Sequence, residues 1–245
     1  MPRGITLPRA VAAFIGVKPV DAPKWSVVVP VKGGVNGKSR LGEVAGDQRE
    51  ELAIALALDT LAAVAATPRV RLVVVTPDPV VAAEARRLGA LVVADTGDSL
   101  SAALAAGVRA AVEDERRGPE PGVAILLGDL PALRPHDLQV ALEACFRART
   151  AFVPDAQGRG SVLLASIDPA HLQPAFGPES AVLHAATAAR LDLDLPRLRR
   201  DVDLADDLAQ AVALGVGAHT RALLEGSPKL AAEISAQSPP QGLSA

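Results

Sequence analysis

The chain has 245 residues, with 25 Lys and Arg against 28 Asp and Glu and a formal net charge of −3, which excludes a nucleic-acid binder driven by bulk positive potential. One Trp, four Phe and no Tyr leave almost no platform for stacking bases. Hydrophobic residues make up 49% and charged residues 22%, an ordinary globular balance that excludes disorder throughout.

Residues 1–24 place Arg3 and Arg9 ahead of a short apolar run at 11–17. That run is at the lower length limit of a secretory signal and Pro19 follows it, so a flexible leader is expected instead. No apolar run approaches the roughly 18–20 residues of a membrane span. A cytoplasmic protein without a membrane partner is expected.

Residues 27–31, 70–75, 91–93 and 123–127 are runs rich in β-branched residues, the pattern of strands covered on both faces. Helices are expected between them. Asp47 opens one that Pro68 ends, Pro79 starts a second to about residue 88, and Ser99 starts a third to about residue 115. Strands alternating with helices imply a parallel sheet with right-handed crossovers. Ligands of such sheets sit beyond the carboxyl ends of the strands, so chemistry is expected in the loops that follow them.

The second half changes character. Residues 135–149 read as a helix carrying the lone Cys145, which excludes a disulfide framework and a cysteine-rich metal site and is expected as a buried apolar residue. Residues 151–154 and 161–165 flank a Gly-containing turn, a hairpin signal. The fold class expected is α/β, a mostly parallel sheet with flanking helices and an inserted β-hairpin region, forming one domain over residues 25–225. Residues 226–245, rich in Ser, Pro and Gln, are expected as a disordered tail.

After the first strand, Lys32-Gly33-Gly34-Val35-Asn36-Gly37-Lys38-Ser39-Arg40 combines exposed backbone N–H groups with three cations, a phosphate cradle by composition. Walker A requires four residues between its glycines, and Gly33 and Gly37 enclose three. A nucleoside triphosphate loop of another type fits better, with Gly33, Gly34 and Lys38 on the nucleotide and Lys32, Lys38 and Arg40 neutralising phosphate oxygens; a solvated turn is the alternative.

The fourth strand runs into Gly128-Asp129-Leu130-Pro131, a carboxylate where the sheet opens. Far downstream, Asp201-Val202-Asp203 in an extended segment would turn both carboxylates to one side and Val202 into the core. Mg²⁺ takes hard oxygen ligands, so Asp129, Asp201 and Asp203 form a candidate site if the chain brings them together. The alternative for Asp203 is a helix cap. Gly177 and Ser180, at a helix start, suit an anion, and Ser161 can add a second hydroxyl; Ser180 as an N-cap and Ser161 as part of a mere turn remain open. His184 either lines that pocket or is a surface or core histidine, and the four histidines lack metal-ligand spacing.

Taken together, Val29-Pro30-Val31-Lys32, Lys38-Ser39-Arg40-Leu41, Gly128-Asp129-Leu130-Pro131, Gly158-Arg159-Gly160-Ser161, Phe176-Gly177-Pro178-Glu179-Ser180 and Asp201-Val202-Asp203 resemble the guanylyltransferases of deazaflavin coenzyme F-420 biosynthesis. The resemblance covers about residues 25–220. It implies a fold like the molybdopterin guanylyltransferases and transfer of GMP from GTP to phosphoenolpyruvate, or to 2-phospho-L-lactate, with release of pyrophosphate. It also implies that Ser161, Gly177 and Ser180 hold the acid, and that Asp129, Asp201 and Asp203 hold Mg²⁺. One departure is Leu100-Ser101, where family members commonly carry Leu-Asn. A sugar or molybdopterin nucleotidyltransferase and a non-catalytic nucleotide-binding module are the competing readings, and a homo-oligomer is left open.

Overall fold

A computed structural model describes residues 25–32, 41, 45–95, 97, 99–114 and 122–237. The expected leader, Gly33, Gly34, Lys38 and Arg40 lie outside the described residues.

The valine runs form the centre of a seven-stranded sheet, β1 (Trp25–Pro30), β2 (Val70–Thr76), β3 (Leu91–Ala94), β4 (Gly122–Leu126), β5 (Thr150–Pro154), β6 (Ser161–Ser166) and β7 (Ala189–Arg190), in the order β3-β2-β1-β4-β6-β5-β7. Only β6 runs against its neighbours; β3, β2, β1 and β4 are parallel, and β7 is parallel to β5. The expected hairpin is therefore not an appendage. Its second strand pairs directly with β4, Ile125 opposite Leu164, and completes the sheet.

Successive strand residues face opposite sides, and both sides are covered. Val27, Val29, Val74 and Leu126 pack beneath α1 (Arg49–Ala65), α2 (Pro79–Arg87) and α4 (Pro135–Ala148), through Leu61, Ala85 and Leu138. Val28, Val73 and Ile125 meet α3 (Leu100–Glu113) through Ala103 and Leu104. Alternation is absent from the valine runs because neither face of the central strands meets water. The helix starts follow from capping chemistry: the Asp78 carboxylate accepts from Val80 and Val81 N–H ahead of α2, and the Ser99 hydroxyl from Ala102 N–H ahead of α3.

The connections locate the site. From β1 the chain moves outward to β2 and β3 with α1 and α2 on one face, then returns across the other face through α3 to β4, on the opposite side of β1. Strand order reverses between β1 and β4, and beyond their carboxyl ends a crevice must open.

After β6 come α5 (Ser180–Ala185), α6 (Pro196–Arg199), α7 (Ala205–Leu214), α8 (Ala218–Gly226) and α9 (Pro228–Gln237). The expectation of a disordered tail from residue 226 is corrected by α9. Leu230 and Ile234, one helical turn apart, are buried with Leu52, Leu56, Val202 and Leu208 in a third apolar cluster, and Gln48 donates to the Ser227 hydroxyl. The apolar pair supplies burial that the Ser- and Pro-rich composition around it conceals. Replacing Leu230 or Ile234 with Ala should cost about 2–5 kcal/mol of unfolding free energy. Denaturant unfolding indistinguishable from the parent would return this segment to a tail.

Candidate active site

The loops after β1 and β4 approach each other so closely that a Cβ on Gly128 would lie 2.9 Å from the Pro30 carbonyl oxygen, so the position needs glycine. Beyond it the Gly-Asp-Leu-Pro loop is pinned from three sides. Leu130 N–H donates to the Thr60 hydroxyl on α1 (2.9 Å), which itself donates to the Leu56 carbonyl; Gly217 N–H donates to the Pro131 carbonyl (2.9 Å). Val202 N–H donates to the Asp129 carbonyl (3.1 Å), laying the second acidic segment against the first.

That segment is shaped by Asp207 on α7. Its carboxylate accepts from Leu204 N–H (2.9 Å) and Asp203 N–H (3.2 Å) and pairs with Arg200. Asp203 is thus not the helix cap; Asp207 caps the turn from inside α7, and Asp203 lines the cavity. Val202 is fully buried between the two acids, as an extended segment requires. Burial, reinforced by the charges of Asp129, Asp203 and Asp155, pushes the Asp201 carboxyl up to about 8. Negative charge has been concentrated here beyond what the site readily holds alone. Among the described residues, no three His, Cys, Asp or Glu side chains stand close enough to hold a metal ion between them as placed. The three aspartates share an electrostatic field rather than a finished coordination sphere.

The same cavity is lined by the turn between β5 and β6. The Asp155 carboxylate accepts from Arg159 N–H (3.0 Å) and Gly160 N–H (2.7 Å), while Arg199 donates to the Pro154 and Asp155 carbonyls. This fixes where β6 begins, with Ser161 as its first residue. Gly177 adopts φ +150, a conformation side chains rarely take, and Glu179 follows at φ +60 immediately before α5. Ser180 is the first residue of that helix and not its N-cap; its hydroxyl is buried without a hydrogen-bond partner among the described residues. His184 is neither on the surface nor in the cavity wall. It is fully buried behind Ser161, with Nδ1 2.9 Å from the Ser161 hydroxyl and Nε2 accepting from Ala175 N–H (3.0 Å).

Both groups of residues line one cavity of about 650 Å³ at the carboxyl ends of β1 and β4, a volume suited to a small-molecule ligand. Lys32, Asp129, Ser161, Gly177, Ser180, Asp201 and Asp203, all singled out from sequence, meet there. Asp155, Arg159 and Glu179 also line it, with no role legible in their sequence surroundings; Arg159 and Glu179 form an exposed ion pair at 2.7 Å. Leu100 reaches the cavity, whereas Ser101 is exposed and absent from its wall. Cys145 is buried far from this chemistry in the apolar core, where burial pushes its thiol up to about 12. No helix among the described residues is long and apolar enough to cross a membrane.

Residues 25–242 match the model of the family described as "Guanylyl transferase CofC like". The chain belongs to this family. It is 47% identical over 208 residues to the phosphoenolpyruvate guanylyltransferase of Thermomonospora curvata, covering 83% of this chain and 90% of that protein. It is 48% identical over 209 residues to the enzyme of the same name from Salinispora arenicola, covering 83% and 94%. Among solved structures, a putative nucleotide-diphospho-sugar transferase from Desulfovibrio desulfuricans matches with a TM-score of 0.60 at 19% identity, covering 86% of this chain and 98% of that one. A nucleotidyl transferase from Methanothermobacter matches with a TM-score of 0.53 at 20% identity, covering 78% and 97%. The architecture is a nucleotidyltransferase fold, and the chain is a nucleotidyltransferase.

The loop anchor and the buried ring each have a measurable consequence. Thr60→Val leaves the Leu130 N–H buried and unpaired, which should cost about 1–3 kcal/mol and speed exchange of that amide; unchanged stability and exchange would remove Thr60 from the site's support. Burial lowers the pKa of His184 from 6.5, so at mildly acidic pH the unfolded chain takes up a proton that the folded protein refuses. The associated stability is complete above pH 6.5 and is lost as the pH falls through the lowered folded value. The drop in unfolding free energy between about pH 7.5 and pH 5 should be smaller in His184→Asn than in the parent.

Proposed function

We propose that the cavity transfers GMP from GTP to phosphoenolpyruvate, releasing pyrophosphate, as a step of coenzyme F-420 biosynthesis. The observation that carries this reading is that Asp129, Asp201 and Asp203 line one cavity together with Ser161 and Ser180. Acidic residues alone repel a triphosphate. Paired with a divalent cation and faced by hydroxyl donors and Lys32, they suit two anions that must meet. The names of the relatives and the membership of a guanylyl transferase family support guanine as the base and phosphoenolpyruvate as the acceptor.

The donor set fits Mg²⁺. It consists of hard carboxylate oxygens, and Mg²⁺ commonly takes one or two carboxylates with substrate phosphates and waters completing its shell, so three side chains need not close around it beforehand. Asp129, Asp201 and Asp203 would hold the ion, which when bound supplies charge neutralisation and polarisation of the phosphoryl oxygens.

The chain's own residues do the rest. Ser161 and Ser180 donate to the acid, and the Gly177 backbone lets its anionic groups approach. Lys32, joined by Lys38 and Arg40, neutralises triphosphate oxygens, while Gly33 and Gly34 offer backbone N–H groups to the nucleotide. Held in line, a phosphate oxygen of the acid bonds to the α-phosphorus of GTP as the bond to the β-phosphate bridging oxygen breaks, and pyrophosphate leaves with that electron pair. The attacking phosphate is already ionised near neutral pH, so no general base is required. With GTP as donor, the reaction belongs in the cytoplasm.

Incubation with GTP, Mg²⁺ and phosphoenolpyruvate should release pyrophosphate, and 2-phospho-L-lactate should release far less. Equal or greater release with the lactate compound would change the acceptor, and nucleotide binding without metal-dependent release would leave only a binding module. Asp129→Ala should lower turnover by at least about 100-fold with the fold retained, the scale of losing a preorganised electrostatic group. Near-parental turnover would contradict the metal assignment.

A further inference from the structure

A buried serine and histidine in hydrogen-bond contact ordinarily suggest a nucleophile and its base. Here the polarity runs the other way. His184 sits fully buried on α5, with Phe176 edge-on at a ring-centroid distance of 5.0 Å and Phe152 at 5.7 Å. Its Nε2 lies 3.0 Å from the backbone nitrogen of Ala175. A backbone N–H can only donate, so Nε2 must present a lone pair, the ring must be neutral, and its single proton must be on Nδ1. Nδ1 is 2.9 Å from Ser161 Oγ, and so it is the serine oxygen that accepts.

The orientation of the Ser161 proton follows. A hydroxyl has one hydrogen and two lone pairs. With the imidazole N–H occupying one lone pair, the hydrogen cannot point back at the ring, and among the described residues no acceptor takes it. Ser161 lines the cavity and His184 does not, so the remaining direction is inward. Ser180, whose buried hydroxyl has no hydrogen-bond partner among the described residues, lines the same cavity. The same wiring excludes His184 as a base for Ser161, because the nitrogen facing the serine already carries a hydrogen.

We infer that His184 is a positioning residue which, held by Ala175 N–H and donating from Nδ1 to Ser161 Oγ, commits the Ser161 hydroxyl to donate to an anionic oxygen in the cavity. The inference deepens the proposed function and rests on its assignment of Ser161 to the acceptor acid. A phosphate or carboxylate oxygen, which only accepts, matches a hydroxyl locked as a donor. A group at that position that itself donates finds its best acceptor lone pair already taken.

Two substitutions separate the ring's two hydrogen bonds. Asn at 184 can keep a donor near the Nδ1 position, whereas Gln can keep an acceptor near Nε2 for Ala175 N–H but loses the donor to Ser161. With GTP saturating, His184→Gln should raise the KM for phosphoenolpyruvate about tenfold, the scale of losing one charge-assisted hydrogen bond. The KM for GTP should stay unchanged, and His184→Asn should stay within about threefold of the parent, well short of that loss. Ser161→Ala should raise that KM at least as much as His184→Gln, which leaves the hydroxyl present but unoriented, and the double variant should be no worse than Ser161→Ala alone.

If Ser161→Ala leaves the phosphoenolpyruvate KM unchanged, the assignment of Ser161 to the acid fails and the inference goes with it. If Ser161→Ala raises that KM while His184→Gln does not, or the two effects add, the inference alone is overturned. Nitrogen-15 NMR of the unmodified protein should show a protonated Nδ1 and an unprotonated Nε2 on His184; the opposite tautomer overturns the inference whatever the variants do or fail to fold into.

Discussion

The 3.1 Å hydrogen bond from Val202 N–H to the Asp129 carbonyl joins two stretches of chain that repel each other through their side chains. Without it, Asp129 would end one strand and Asp201 would begin a separate loop, each free to relax into water. With it, burial of Asp201, reinforced by the charge of Asp129, raises the Asp201 carboxyl well above the usual carboxylate range. The bond is supported from both ends. Thr60 and Gly217 hold the strand-end loop, and Asp207, itself paired with Arg200, shapes the second segment. Much of the third apolar cluster can be understood as the foundation of this one contact, since it buries Val202 and secures α7 and α9 around it.

Around Ser161 a different problem is solved by related means. Hydroxyl groups can rotate, and a rotating hydroxyl is a poor electrostatic partner because it must be reoriented when charge arrives. Ser161 is not free in this way: a buried imidazole, fixed by a backbone N–H and packed between two of the chain's few aromatic rings, sets its polarity. A single cavity therefore combines concentrated negative charge with a serine hydroxyl of fixed polarity.

Sequence patterns exposed the parts of this arrangement that are local. The valine runs, Pro79, the cap Ser99, and the Gly-Asp-Leu-Pro and Asp-Val-Asp segments all carry their meaning within a few residues. Thr60 and Asp155 do not, because their roles depend on partners across a turn or on another helix, and a threonine in mid-helix or an aspartate in a turn has an ordinary explanation. His184 was visible, but its burial and its partner Ala175 were not, so a surface position stayed open. Leu230 and Ile234 are a single apolar pair one helical turn apart, too short a pattern to stand out from the surrounding Ser, Pro and Gln, since composition reports the average of a segment whereas docking depends on two side chains.

The sheet is bordered by short strands. β3 supplies four residues at one margin and β7 only two at the other, and at that second margin Arg190 turns its guanidinium onto Asp192 and the Gly158 carbonyl. Few backbone groups remain there to template a neighbour's strand, and a charged side chain stands over them. Among the described residues, the β7 margin therefore offers little unpaired backbone onto which a further strand could add.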